Sequence, residues 1–350
     1  MKNKLLLIAA SLLSFAACKT NSPTAPDGIM LPLTAGGSGG SSTPAHPAIV
    51  FNDQNQYVTV MDSDGTHATE LLSGHNAYGW SPGSSILMSG NPDSLYAADV
   101  SVNSSGVPVA SNVRVIVSKS FYLSDSTTIG NNPAWSATSS VNKIAFQLRA
   151  IRNANRPAAT ICTQSASGGS WDTLHSFPSH YFVNGITWKA DDSKIAVLLS
   201  YNLTTPAYSV VIMDASTGAT TDSIPLPSNS TGWYGLQWSH GSSLNLLTLM
   251  RDTAYPGHSL DGDYIYYLTP SSESTPTTQN VGAYYNATWS PTSSSLMFET
   301  VAISNSNKCS CGVKWAQTLD KLSEQTTSQT KLQSQTNCCY STYNAMDWHR

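Results

Sequence analysis

Six times along the chain a short mixed segment ends in tryptophan. The segments read NAYGWS, NNPAWS, NGITWK, YGLQWS, YNATWS and NAMDWH, closing at Trp80, Trp135, Trp188, Trp238, Trp289 and Trp348. Successive tryptophans stand 55, 53, 50, 51 and 59 residues apart. After each of the first five comes a polar turn and then an apolar run: SILMSG, KIAFQL, KIAVLL, NLLTLM and SLMFET. Short, β-rich runs bounded by Ser, Gly and Asp predict strands. Each unit then supplies a third strand (SLYAADV, AATICTQ, YSVVIMD, YIYYLTP, VKWAQTL) and a fourth (VRVIVSK, WDTLHSF, TTDSIPL, TTQNVGA, KLQSQTN). The fourth is the more polar, as suits an outer edge. No segment has a helical period, so the expected class is all-β.

Four strands per repeat of about 50 residues make the blade of a β-propeller. The chain ends complete the pattern. AIVF, YVTVMD and TELLS match a second, third and fourth strand with no first strand before them, while Trp348 closes a first strand two residues before Arg350. Joined, the fragments make one blade whose inner strand is C-terminal and whose outer three are N-terminal. The expectation is a six-bladed β-propeller of four-stranded blades, closed by that pairing.

The pattern W-S-P-x-x-x-x-[IL]-x-[FM] is clearest at Trp80-Ser81-Pro82 and Trp289-Ser290-Pro291. It resembles the repeats of the TolB-like propeller family, and Asp62-Ser63-Asp64-Gly65 resembles the hairpin between that family's third and fourth strands. The resemblance covers Ala48 to Arg350 and departs where SATSS, KADDS and SHGSS replace the usual Ser-Pro-Asp-Gly turn. It implies a propeller that binds a protein or cell-envelope component without catalysis. A kelch propeller has a similar repeat length but would carry paired glycines on an inner strand, which these units lack.

The N-terminus predicts export. Lys2 and Lys4 form a positive region, and Leu5 to Ala17 is an unbroken run of apolar and small residues. That suits a signal peptide and falls short of the ~20 residues a membrane-spanning helix needs. Phe15-Ala16-Ala17-Cys18 resembles the lipobox of bacterial lipoproteins, with Phe15 where Leu is usual. The resemblance implies a diacylglycerol on the Cys18 sulfur; a plain secretory signal cut after Ala17 is the alternative. Several acyl chains at ~0.8 kcal/mol per buried methylene would hold the protein on a membrane. Lys19 stands where an inner-membrane retention signal tends to carry Asp, which favours the outer membrane. The expected domains are a signal peptide (1–18), a Pro-, Gly- and Ser-rich flexible tether (19–46) and the propeller (47–350). Gly36, Ser38 and Gly40 match a nucleophile elbow in spacing, but that motif needs a strand before it and a helix after it.

Charged residues make up 11% of the chain, against roughly 25% in ordinary globular proteins. A surface of Ser, Thr and Asn fits an extracytoplasmic protein. The net charge is −4 and Lys and Arg form no cluster, which argues against a nucleic-acid partner.

The repeated tryptophans are expected to pack between neighbouring sheets. Four residues before each stands Asn76, Asn131, Asn184, Tyr234, Tyr285 or Asn344. Inner strands line a propeller's axial channel, so these six would ring one mouth with amides and phenols, suited to a peptide or a sugar. The alternative is that Asn only completes a local turn at the strand start. The eight histidines (His46, His67, His75, His175, His180, His240, His258, His349) form no metal spacing. Asp261-Gly262-Asp263 and Asp62/Asp64 lack the downstream acidic ligand of a calcium loop. No metal or other cofactor is expected.

Cys162 lies in an apolar run and reads as a small core residue. Cys309 and Cys311 precede the expected third strand of their unit, and Cys338 and Cys339 follow its fourth. An antiparallel hairpin would bring these pairs together, so disulfides between them are reasonable, with two cross-pairings open. A loop of ~28 residues closed this way gains roughly 3–4 kcal/mol, and export favours oxidation. A four-thiolate zinc site is the rival. The expected function is a membrane-tethered, monomeric, non-catalytic binder of a protein or envelope component. The alternatives are a polysaccharide lyase or hydrolase and a glycan-binding lipoprotein.

Overall fold

A computed structural model describes residues 45–53, 56–91, 94–118, 127–130, 132–150, 159–178, 180–201, 207–227, 232–240, 245–252, 263–270, 277–290, 296–303, 309–316, 329–336 and 344–348. All lie in the compact unit Thr34–Arg350; the other unit, Met1–Leu33, lies outside the described residues, and Cys18 with it. Every helix or strand among the described residues is a strand.

The strands gather in antiparallel sheets in chain order. The first sheet holds β1 (Ile49–Asn52), β2 (Tyr57–Met61) and β3 (Thr69–Ser73), and the second β4 (Asn76–Trp80), β5 (Ser85–Asn91), β6 (Ser94–Val102) and β7 (Pro108–Ser118). The third holds β8 (Thr127–Ile129), β9 (Ala134–Trp135), β10 (Lys143–Ala150), β11 (Ala159–Ser165) and β12 (Trp171–Ser176). The fourth is β13 (Tyr181–Trp188), β14 (Lys194–Tyr201), β15 (Ala207–Asp214) and β16 (Thr220–Leu226). The last is seven-stranded: β17 (Gly232–Trp238), β18 (Leu247–Asp252), β19 (Asp263–Leu268), β20 (Thr277–Trp289), β21 (Leu296–Ile303), β22 (Cys309–Ala316) and β23 (Gln329–Thr336). The final strand, β24 (Asn344–Trp348), pairs with β1, placing Ile49 opposite Trp348 and Val50 opposite Asp347.

Successive side chains of a strand point to opposite faces, and here both faces are buried against neighbouring sheets. In β14, Ile195, Val197 and Leu199 join a core shared with the third sheet, whereas Ala196 and Leu198 join one shared with β17 and β18. In β5, Ile86 and Met88 face the first sheet and Leu87 the third. This double burial is why the second strands are unbroken apolar runs. Among the described residues, four inter-sheet cores each contain one repeat tryptophan: Trp80, Trp135, Trp188 or Trp238. Trp289 is buried too, and the Trp348 side chain lies outside the described residues. Outer strands lose this cover, so β12 (WDTLHS) is mostly exposed or half-buried. Sheets packed face to face with their first strands turned to a common centre are the arrangement of a β-propeller.

Three elements depart from the sequence pattern. β22 begins at Cys309, so Cys309 and Cys311 lie within the third strand of their unit instead of preceding it. The inner strand expected at NNPAW is split, because Pro133 has no N–H to give a ladder and Asn132 takes a φ of 67°. Both pieces, β8 and β9, pair with β10, and Gly130 N–H bridges the gap to Gln147 O at 2.8 Å. A Cβ on Gly130 would meet the Gln147 side chain, which would have to shift to admit it. The outer strand TTQNVGA and the inner strand YNATW are joined in the single strand β20, which pairs with β19 on one side and β21 on the other. No proline or turn cluster interrupts Thr277–Trp289, unlike HSFPSH or LPSNSTG at the equivalent junctions, and the ladder runs through.

Candidate functional site

The first strands converge on a cavity of about 440 Å³. Its lining comes from β4, β9, β13, β17, β20 and β24, with Asn52 of β1 added. Around it β24 packs on β4, β4 on β9, β9 on β13, β13 on β17, β17 on β20 and β20 on β24.

At the tryptophan end, side chains are spent on neighbours. Thr187 Oγ1 accepts the Trp238 N–H at 3.1 Å, and the Trp188 indole donates to Ala134 O at 3.0 Å. Asp347, 8% exposed, accepts the Trp80 N–H at 2.7 Å through Oδ2 and the Thr288 hydroxyl at 3.3 Å through Oδ1. Gly79 permits that approach, since a Cβ there would stand 2.7 Å from Asp347 Oδ2. Beyond Trp135, Asp192 accepts from Ala137 N–H, Thr138 N–H and the Thr138 hydroxyl, tying two turns together.

The other end is the mouth. Asn76 is exposed there, and Asn184 and Tyr234 are half-buried; all three line the cavity. Of the remaining expected mouth residues, Asn131 lies outside the described residues, as do the side chains of Tyr285 and Asn344. Asn52 and Asn132 join the mouth and were not singled out from the sequence. Asn52 donates to His75 O at 2.9 Å and accepts the Ala77 N–H at 2.7 Å, whereas Asn132 donates to Asn184 O at 3.1 Å. Their roles depend on which sheet lies next door, and the only sequence signal is that both are Asn near a strand end. Tyr78 meets Ser89 Oγ at 3.0 Å, and burial pushes its phenol pKa above the ordinary value. Burial pushes the pKa of His75 below its usual value, favouring the neutral ring.

Chemically the lining offers amides, phenols and hydroxyls, one carboxylate (Asp347), one imidazole (His240) and, among the described residues, no Lys or Arg. Gln237 Oε1 is buried in it without a hydrogen-bond donor. Such a wall recognises groups that both donate and accept hydrogen bonds. No group of three or more His, Cys, Asp or Glu able to hold a metal occurs among the described residues. Cys162 is fully buried, and that burial raises its thiol pKa to about 11, which keeps it unreactive. Cys338 and Cys339 lie outside the described residues, as do the side chains of Cys309 and Cys311.

No protein-family model and no curated protein matches the chain. Among solved structures it is similar to an oligogalacturonate lyase from Vibrio parahaemolyticus at 11% identity and a TM-score of 0.49, covering 83% of this chain and 79% of the other. It is also similar to a Synechocystis apocarotenoid oxygenase at 8% identity and a TM-score of 0.47, with the same coverage, 83% and 79%. A chain of the mitotic checkpoint complex matches at 14% identity and a TM-score of 0.40, over 93% of this chain and 89% of that one. Likenesses this distant carry no argument about activity.

Proposed function

We propose that this protein is an exported lipoprotein, held on the outer membrane through Cys18, whose six-bladed propeller binds a cell-envelope component at the mouth of its central cavity. Six blades follow from the six Trp-ended strands and from reading β20 as the outer strand of one blade and the inner strand of the next. The β24–β1 pairing and the circle of packed inner strands support closure of the ring by the C-terminal strand. The TolB-like repeats point the same way. Register places Ser310 opposite Thr336, two residues before Cys338, which supports disulfides between the two cysteine pairs.

The observation that carries the binding reading is the convergence of Asn76, Asn184 and Tyr234, from three different sheets, on one cavity lined without Lys or Arg among the described residues. The test is crosslinked capture from intact cells with the wild type and with Asn76→Ala plus Asn184→Ala. The double variant should fold with an unchanged melting temperature and lose the captured component. Equal capture by both proteins would remove the mouth from the binding surface.

A further inference from the structure

We infer that the chain enters the propeller on the face opposite the mouth, so that the anchored protein turns its tryptophan end to the membrane and its mouth to a partner outside the bilayer. The inference rests on the anchored binder proposed above and adds the direction in which it faces. The ring-closing register fixes the course of β1, with Ile49 opposite Trp348 and Asn52 opposite Asn344. β1 therefore starts at the tryptophan end and finishes at the mouth, where Asn52 lines the cavity.

The residues just before β1 stay on the tryptophan side. Ala48 N–H donates to Met61 O at 2.9 Å, and Met61 pairs with Ile49 at the close of β2. His46 N–H donates to Asp62 Oδ1 at 2.7 Å, in the turn between β2 and β3. The other carboxylate oxygen of Asp62 meets His67 Nδ1 at 2.8 Å, which braces that turn. Ala45, 1% exposed, donates its N–H to Gly106 O at 3.3 Å, in the turn between β6 and β7 of the next sheet. Both turns belong to the tryptophan end. β2 passes from Val58, opposite Asn52, to Met61, opposite Ile49. β6 passes from Leu95, level with Asn76, to Ala98, level with Trp80, and runs on to Val102. Three ties to two sheets thus hold the entry point there.

Distance makes the entry point matter. Ala45 stands 27 positions after Cys18, and a flexible chain of that length spans about 30 Å on average. β6, with 9 residues, makes its blade about 25 Å deep. Bringing the mouth to the lipid would take the chain over the rim and down that depth. That course uses nearly all of the average span and draws the chain out at a cost in entropy. With the tryptophan end towards the membrane the same chain is not drawn out. The mouth then meets what approaches from the far side, and the headgroups of the anchoring membrane are not its ligand.

The test is energy transfer from a fluorescent side chain on the full lipidated protein. The vesicles are phosphatidylethanolamine and phosphatidylglycerol with an acceptor dye on the lipid headgroups. The fluorophore is installed at exposed Ser104, in the tryptophan-end turn between β6 and β7, or at exposed Ser73, opposite Tyr57 at the mouth end of β3. Transfer from position 104 should exceed transfer from position 73 by about twofold or more, given ends so far apart. The two should converge when a Gly- and Ser-rich insert doubles the tether. Equal transfer, or stronger transfer from 73, on protein that Cys18→Ser releases from the vesicles would overturn the orientation and leave the anchor standing. Vesicle binding unchanged by Cys18→Ser would overturn the anchor, and the orientation with it.

Discussion

The two ends of β13 (Tyr181–Trp188) differ in chemistry. At one end Trp188 is 2% exposed and bonded to the sheet before it, and Thr187 is bonded to the sheet after it. At the other, Asn184 is half-buried on a cavity and Phe182 lies beneath the Arg149 guanidinium. The same contrast runs through β4, where Trp80 meets Asp347 and Asn76 is exposed on the cavity. A side chain surrounded by neighbouring sheets has its hydrogen bonds and van der Waals contacts spent on the fold. At the open end Asn76 and Asn184 are less buried. Under the proposed function, stability rests on the tryptophan ends of these strands and recognition on their open ends, and substitutions should separate the two.

The largest effect belongs to the closed end. Trp188→Ala should destabilise the fold by about 3–5 kcal/mol, read as a fall in the denaturation midpoint, with binding lost only as the folded fraction is lost. A midpoint near wild type would break the distinction between the two ends. Next comes Asp347→Ala, which removes the acceptor of the buried Trp80 N–H and costs about 1–3 kcal/mol. Because Asp347 sits on the final strand beside β1, the loss should be accompanied by faster amide exchange in β1; unchanged exchange would mean the strand is not held by this tie. The smallest effect is at the surface. Hydrogen bonds from Ser85, Asn112 and Arg114 hold the Asp99 carboxyl at about 2, below its ordinary 3.8. A depressed folded-state pKa adds stability above the unfolded value and loses it as pH falls from about 4 towards 2. Its side chain is 37% exposed, so screening keeps the contribution below about 1 kcal/mol. The stability gap between wild type and Asp99→Asn should be present at neutral pH and close by pH 2; a gap independent of pH would assign it to packing.

Much of this was legible in the sequence because the signal is local. NAMDW, TELLS and TTDSIPL coincide with β24, β3 and β16, since their places in a repeat of short segments bounded by turn residues identify them as strands. The repeat spacing then located Asn76, Asn184 and Tyr234 by analogy between units. The rest depended on three-dimensional neighbours. Asp347 and Gly79 make sense only as a pair brought together across 268 positions of sequence. Continuity through β20 was hidden because the sequence marks where a strand breaks, and there nothing breaks it.

One measurement addresses the central claim most directly: a photocrosslinking side chain installed in living cells at Asn76, on the mouth, or at Ser140, in the exposed turn beyond Trp135. The account predicts an envelope adduct from position 76 and none from position 140. An adduct from 140 alone, or equal adducts from both, would contradict it and place recognition away from the open ends of the inner strands.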